Sequence, residues 1–384
     1  MRVLVTTPAG LGHIHPMVPL AQALAHRGHE VRWALPEQAA GHIAAHVIEA
    51  IPIAGREPIT PQDVMRRFPA LAELASRERP DAMFGKLFGA MATPPMLAGL
   101  EPVALDWRPH LVVADAAEFA GHIVAARLGV PSVTKGFGAP LPEVRMACAA
   151  EEVAALWTSR GLVPRPYGGA YDYLYIDIYP PELQVEAGGH VRHRQLMRPV
   201  TDDGATDKST LPLPRVRRDR PLVYVTMGTV FTDAGPLRLA VEGVRALDVR
   251  VLATVGPAAD PAVLGDQPRH VVIERYVPQT AVLPHCDVVV SHGGSGTILG
   301  ALTLGLPQLC LPQGADQFLN AEAVAASGAG LSITPGATSA DAIRDAVAIV
   351  LRDEAYRDAA LRVAASIEAM PPPDDVAGVL EQLA

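Results

Sequence analysis

Apolar residues in this chain fall into short β-branched runs separated by longer stretches of helical spacing. Arg2 to Thr6 is such a run. Leu20, Ala23 and Leu24 then recur at helical intervals up to Gly28, a suitable C-terminal stop. Pro16 stands where a helix can begin, because the N–H it lacks is one the first turn does not use. That places Pro8 to His15 in a loop. Glu30 to Leu35 reads as the next strand, Leu111 to Ala114 as another, followed by a helix over 118–128 and a strand at Val130 to Val133. Strands alternating with helices predict a parallel, doubly wound sheet.

Residues 201–221 interrupt the pattern. Thr201-Asp202-Asp203-Gly204 is turn-rich, and Pro212, Pro214 and Pro221 punctuate a stretch with several arginines, the composition of an interdomain linker. Alternation restarts with a strand at Leu222 to Met227, then Gly228-Thr229 and a helix from about Pro236. Arg250 to Val255, Val271 to Glu274 and Asp287 to Val290 are further strands. The expected division is a domain over 1–200, a linker over 201–221, a second domain over 222–365 and a tail over 366–384. Two α/β halves of this kind predict an active site in the cleft between them.

Length agrees with two domains, since 384 residues exceed one ordinary domain. Hydrophobic residues are 49% and charged residues 19%, enough to bury a large core. A formal net charge of -9 argues against a nucleic-acid partner, which needs a basic field. Cys148, Cys286 and Cys310 are scattered and odd in number, against a disulfide framework, a zinc knuckle or a CxxC pair. The chain opens directly as a strand without an apolar leader, and no segment is long and apolar enough to cross a bilayer. The expected location is the cytoplasm, with no membrane partner.

The most informative stretch is Ser291-His292-Gly293-Gly294-Ser295-Gly296-Thr297, between the strand at 287–290 and the helical run 298–304. Glycines let backbone N–H groups approach phosphate oxygens, and a helix start favours the negative charge. Ser295, Thr297 and His292 add side-chain donors. The bland alternative is a tight strand-to-helix turn. There is no GxxxxGK[ST], which argues against ATP or GTP hydrolysis.

His292 to Thr297, followed by Pro312-Gln313-Gly314-Ala315-Asp316-Gln317-Phe318-Leu319-Asn320-Ala321, resembles the donor signature of the bacterial natural-product glycosyltransferases. These belong to the large family that includes the plant small-molecule enzymes. Tyr276-Val277-Pro278-Gln279 resembles the segment that holds the nucleotide base, and Gly228-Thr229 the loop that reaches a phosphate. Gly12-His13-Ile14-His15-Pro16 resembles the acceptor-side motif, and Met370 to Asp374 the C-terminal end. The resemblance spans essentially the whole chain. It implies a GT-B fold, α/β with two Rossmann-like doubly wound domains facing across a cleft. Residues 1–200 would bind the acceptor, residues 222–365 the nucleotide sugar, and the tail helix would be free to cross back to the N-terminal domain. It implies a hexosyltransferase-type enzyme of antibiotic biosynthesis, with inverting, metal-independent transfer of a sugar to a small-molecule aglycone. No cofactor is implied beyond the substrate nucleotide sugar. The oligomeric state is left open, a homodimer included.

Within that frame His13 is the candidate general base, since imidazole titrates near neutral pH. His15 is its rival, and a capping or packing role is the alternative for either. Asp115 resembles the aspartate that orients the base histidine, or it caps the following helix. Asp316 and Gln317 match the pair that bonds donor-sugar hydroxyls, or they cap the helix starting near Phe318. Asn320 is expected to face its helix, with contact to the sugar or phosphate as the alternative. His42 and His46 have a zinc-like spacing but no completing ligand, and no DxD motif suits a divalent ion; no metal site is expected. Phe68, Phe84, Phe88, Met65, Met83, Met91, Met96 and the aromatic segment from Pro140 to Tyr179 contribute to an apolar acceptor pocket or to ordinary core. Plant relatives carry a Glu, eight residues past the motif histidine, that bonds the ribose of UDP. Here that position is Gly300, compatible with a TDP donor, whose deoxyribose lacks the 2′-OH; the transferred sugar is expected to be a deoxysugar. Competing readings are an NAD-dependent oxidoreductase, which lacks the third fingerprint glycine at His15, a nucleotide-sugar epimerase of related fold, and a partner protein that has lost its chemistry.

Overall fold

The computed structural model describes every residue except 45, 47, 55–58, 76–77, 185–188, 202–210, 215–218, 229–233 and 258. The chain forms two compact units. One comprises Met1–Ile178, Glu186–Met197 and Pro371–Ala384, the other Tyr179–Val185 and Arg198–Met370.

In the first unit the strands are β1 (Arg2–Thr6), β2 (Glu30–Pro36), β3 (Glu49–Ile53), β4 (Leu111–Asp115), β5 (Ser132–Lys135), β6 (Leu174–Asp177) and β7 (Arg194–Leu196). They form one sheet in the order β3-β2-β1-β4-β5-β6-β7, parallel throughout. In the second unit they are β8 (Leu222–Thr226), β9 (Arg250–Thr254), β10 (Val271–Glu274), β11 (Val288–Ser291), β12 (Gln308–Cys310) and β13 (Gly330–Ser332). Their order is β10-β9-β8-β11-β12-β13, again parallel. All residues of β4, β8 and β11 are buried, which is why these strands read as unbroken apolar runs rather than alternating ones. Strand order reverses beside β1 in one sheet and beside β8 in the other. Such switch points open crevices at the carboxyl ends of the strands.

Several boundaries differ from the sequence expectation. The first helix spans Leu11–His26, so Pro16 and Pro19 are internal and His13 lies in the first helical turn rather than in a loop. Pro16 forfeits one backbone bond near the helix start, a modest loss when Ile14, Met17, Val18 and Leu20 are buried by the same helix. The helix expected from 118 begins at Ala120, and the strand expected at 130–133 lies at Ser132–Lys135. His42 falls on a short 3₁₀ turn, Glu37–Ile43, which ends before His46. The edge strands β3, β7 and β13, and the strands β6 and β12 next to an edge, were not legible; they are five residues or fewer and contain Pro52, Arg194, Gly330, Asp177 and Gln308.

The last helix, Pro373–Leu380, belongs to the first unit and packs on the Leu11–His26 helix. Arg27 donates to both carboxylate oxygens of Glu381 at 2.9 and 2.8 Å, and His29 Nε2 lies 2.8 Å from Glu381 Oε1. These ion pairs hold the Glu381 carboxyl down at about 2. Among the described residues no helix is long and apolar enough to cross a membrane.

Candidate active site

In the first unit the site grows from the two strands that flank the switch point. β1 ends at Thr6 and feeds the helix carrying His13; β4 ends at Asp115. Asp115 Oδ1 lies 2.9 Å from His13 Nδ1 and also accepts the Ala117 N–H at 2.8 Å. The carboxylate is 2% exposed and the imidazole 16%, so the acid is enclosed while the ring keeps an accessible edge. The histidine paired with Asp115 is thus His13. The capping role considered for Asp115 belongs to Glu118, which accepts the N–H groups of Ala120 and Gly121 at 2.7 and 2.9 Å and the Thr6 hydroxyl at 2.5 Å. Burial raises the Glu118 pKa.

Aromatic rings fix the imidazole from the sides. Phe137 lies 4.3 Å from it, centroid to centroid, and Phe88 5.6 Å, edge on. Phe88 sits on a π-helical stretch, Gly85–Ala92, and irregular turns of this kind re-aim side chains at functional sites. Of the other residues considered for a pocket, Phe84, Met96, Trp157, Tyr171 and Tyr175 are buried in one core cluster. Tyr173 is exposed. Lys135, which the sequence reading passed over, is the register partner of Asp115 at the end of β5. It is buried, and loss of hydration pulls its pKa down to about 7 against the attraction of Asp115 and Asp177.

In the second unit β8 and β11 end in register at Thr226 and Ser291. Each hydroxyl accepts a backbone N–H two residues on, from Gly228 at 3.3 Å and Gly293 at 3.1 Å, which shapes both loops. The His292 ring fills the space between them. A Cβ on Gly228 would stand 2.6 Å from its Cε1, and one on Gly294 2.5 Å from its Nε2, so a side chain at either position would displace the ring. Gly228 also has φ +76°, a left-handed conformation that suits glycine. Burial lowers the His292 pKa to about 4, with Asp316 opposing. Thr229, which follows Gly228 in the sequence, lies outside the described residues.

The helix Ser295–Thr303 starts at Gly294 with no side-chain cap and no acid in its first turn. Its N-terminus retains the partial positive charge that binds an anion. A Cβ on Gly296 would meet nothing within 4 Å, so the surface over that turn is open. Gln279 Nε2 donates to Thr297 Oγ1 at 3.0 Å, which joins the segment expected to hold a base to the glycine loop. Tyr276 is 48% exposed, whereas the Val277 side chain is in the core; a nucleotide would meet only the backbone of Val277.

Asp316 occupies the N-cap position of the Gln317–Ser327 helix but does not cap it. Its Oδ2 accepts from Ser295 Oγ at 3.1 Å and from Asn320 Nδ2 at 2.8 Å. Gln317 Oε1 accepts the N–H groups of Gln313 and Gly314 at 2.7 and 3.1 Å, holding the loop ahead of the helix. Asn320, read from sequence as a helix-facing residue, is fully buried beneath these loops. Gly300 is also buried; a Cβ there would stand 3.2 Å from Thr201 Oγ1 and 3.3 Å from Leu283 Cδ1. Among the described residues no three His, Cys, Asp or Glu side chains gather as a metal-ligand set. His46 Nδ1 lies instead 3.0 Å from Gln22 Nε2.

Residues 22–197 match the N-terminal domain, and residues 238–383 the C-terminal domain, of the family described as erythromycin biosynthesis protein CIII-like. Elloramycin glycosyltransferase ElmGT of Streptomyces olivaceus is 36% identical, over 99% of this chain and 97% of that protein. L-demethylnoviosyl transferase of Streptomyces niveus is 30% identical, over 98% and 97%. Among solved structures, spinosyn rhamnosyltransferase SpnG has a TM-score of 0.85 and 28% identity, covering 99% of this chain and 100% of its own. SpnG has also been solved complexed with thymidine diphosphate and with spinosyn aglycone.

Proposed function

Since the chain belongs to the erythromycin biosynthesis protein CIII-like family of actinobacterial natural-product glycosyltransferases, with the GT-B fold, we propose that it moves a deoxysugar from a thymidine diphosphate donor to a hydroxyl of an apolar aglycone, with inversion and without a divalent ion. The observation that carries this reading is the 2.9 Å contact between His13 Nδ1 and Asp115. With Nδ1 protonated and held by the carboxylate, the lone pair is on Nε2. The acceptor oxygen attacks the anomeric carbon as its proton passes to Nε2. The bond from that carbon to the diphosphate oxygen breaks, and the electron pair leaves on the diphosphate. Asp115 stabilises the imidazolium, as a buried carboxylate does for a general base.

Charge on the leaving group is met by the uncapped helix start at Ser295 and the glycine-loop N–H groups. This supports transfer without a metal. The base supports a single displacement, which inverts the anomeric centre; a double displacement would need a nucleophile forming a sugar–enzyme bond. Gly300, packed against Thr201 and Leu283 with no carboxylate for a ribose 2′-OH, supports TDP, as does the TDP complex of SpnG. The rhamnosyl transfer named for SpnG supports a deoxysugar. Proton NMR of the product's anomeric coupling tests the mechanism: an α-linked donor should give a β-glycoside. Net retention would remove His13 as base and point to Asp316.

A further inference from the structure

Tyr179 follows β6 by two residues and opens the segment Tyr179–Val185, which belongs to the second unit although its sequence neighbours belong to the first. The residue is fully buried. Its hydroxyl donates to Asn320 Oδ1 at 2.7 Å, and the adjoining turn Pro181–Leu183 packs on the helix that carries Asn320. Asn320 is equally buried. Its Nδ2 points the other way, 2.8 Å from Asp316 Oδ2, 3.0 Å from the Gly293 carbonyl and 3.0 Å from Ser295 Oγ.

A carboxamide has one accepting and one donating end, and the two are close in size. Reversed, Asn320 would turn its oxygen towards the Asp316 carboxylate and the Gly293 carbonyl, all of them acceptors. Those two acceptors therefore set which end of the amide faces them, and the Tyr179 hydroxyl satisfies the buried oxygen left at the other end, holding the amide in place. We infer that Tyr179 is a positioning residue for the donor sugar: it locks the Asn320 amide, which holds the Asp316 carboxylate and the Gly293 loop in the orientation that receives a nucleoside diphosphate sugar. This rests on the reading of Asp316 as an acceptor for a sugar hydroxyl.

The test compares the affinities of the full-length protein for TDP and for TDP-glucose by isothermal titration calorimetry. TDP-glucose is the probe because its sugar presents a hydroxyl at every ring position Asp316 could address. Tyr179→Phe keeps the ring and removes the donor. Losing a buried hydrogen bond to a polar network is expected to weaken TDP-glucose about tenfold while TDP stays within about twofold. Asn320→Asp keeps an acceptor for Tyr179 but removes the donor to Asp316, and should give the same selective loss even if the phenylalanine variant does not fold. An unchanged ratio in a folded variant, or equal losses for both ligands, would overturn the inference. Asp316→Asn separates the two readings: if it leaves the ratio unchanged, the role of Asp316 itself fails. If it abolishes the sugar-dependent difference while Tyr179→Phe does not, only the lock fails.

Discussion

Asp115 Oδ1 sits 2.9 Å from His13 Nδ1 although 102 residues separate the two in the chain. β1 and β4 are neighbours in the sheet, with Thr6 opposite Ala114. His13→Ala should therefore lower kcat by about a hundredfold or more with donor binding near normal. Asp115→Asn should cost less in the same direction, because the amide still accepts from Nδ1 but no longer balances the imidazolium. Steady-state kinetics with an acceptor of high hydroxyl pKa checks both. Near-wild-type kcat in His13→Ala would exclude it as base.

Activity should survive EDTA. The partners proposed for the diphosphate are the uncapped helix start at Ser295, the Ser295 and Thr297 hydroxyls and the His292 ring, none of which needs a divalent ion. Turnover measured before and after chelation, with magnesium and manganese added back, decides the matter. A strict requirement for either ion contradicts this account of the phosphate site.

TDP should raise the melting temperature more than UDP at equal concentration, since at a given concentration the ligand with the lower Kd for the folded state stabilises it more. Gly300→Glu should not reverse that order. A side chain there meets Thr201 and Leu283 at its first carbon, so the variant is expected to lose stability instead. A thermal-shift panel checks both. A stronger response to UDP than to TDP in the wild type would overturn the nucleotide assignment.

Stability should fall as pH drops from about 6.5 to about 4. Burial depresses both His122 and His292 to about 4 from the ordinary 6.5. Within that window the unfolded chain takes protons that the folded chain refuses, so protonation favours unfolding. The effect is absent above the window and complete below it. Each histidine contributes up to about 1.4 kcal/mol per pH unit. His122 is held neutral between Ser132 Oγ at 3.0 Å and Thr134 Oγ1 at 3.2 Å. Urea unfolding at several pH values should show a shallower slope in His122→Asn. Equal slopes in variant and wild type would contradict this.

What the sequence determined by itself is whatever is encoded over short distances. Apolar runs alternating with helical spacing specified parallel sheets. The 291–297 segment specified a strand, a glycine loop and a helix start, because turn chemistry and the helix dipole are local. Tertiary structure decided the choices that depend on partners far along the chain. The sequence favours His13 over His15 through the family resemblance and its position, and the end of β4 sets Asp115 beside His13. Asp115 suits a cap as well as a dyad, and Glu118 takes the cap because it lies where the Ala120 and Gly121 N–H groups converge. Asn320 reads as an ordinary helix residue until Tyr179, 141 positions away, is found on its oxygen. A side chain's hydrogen-bonding capacity is written in its residue type, but which groups satisfy it is settled only when the fold removes water from around it.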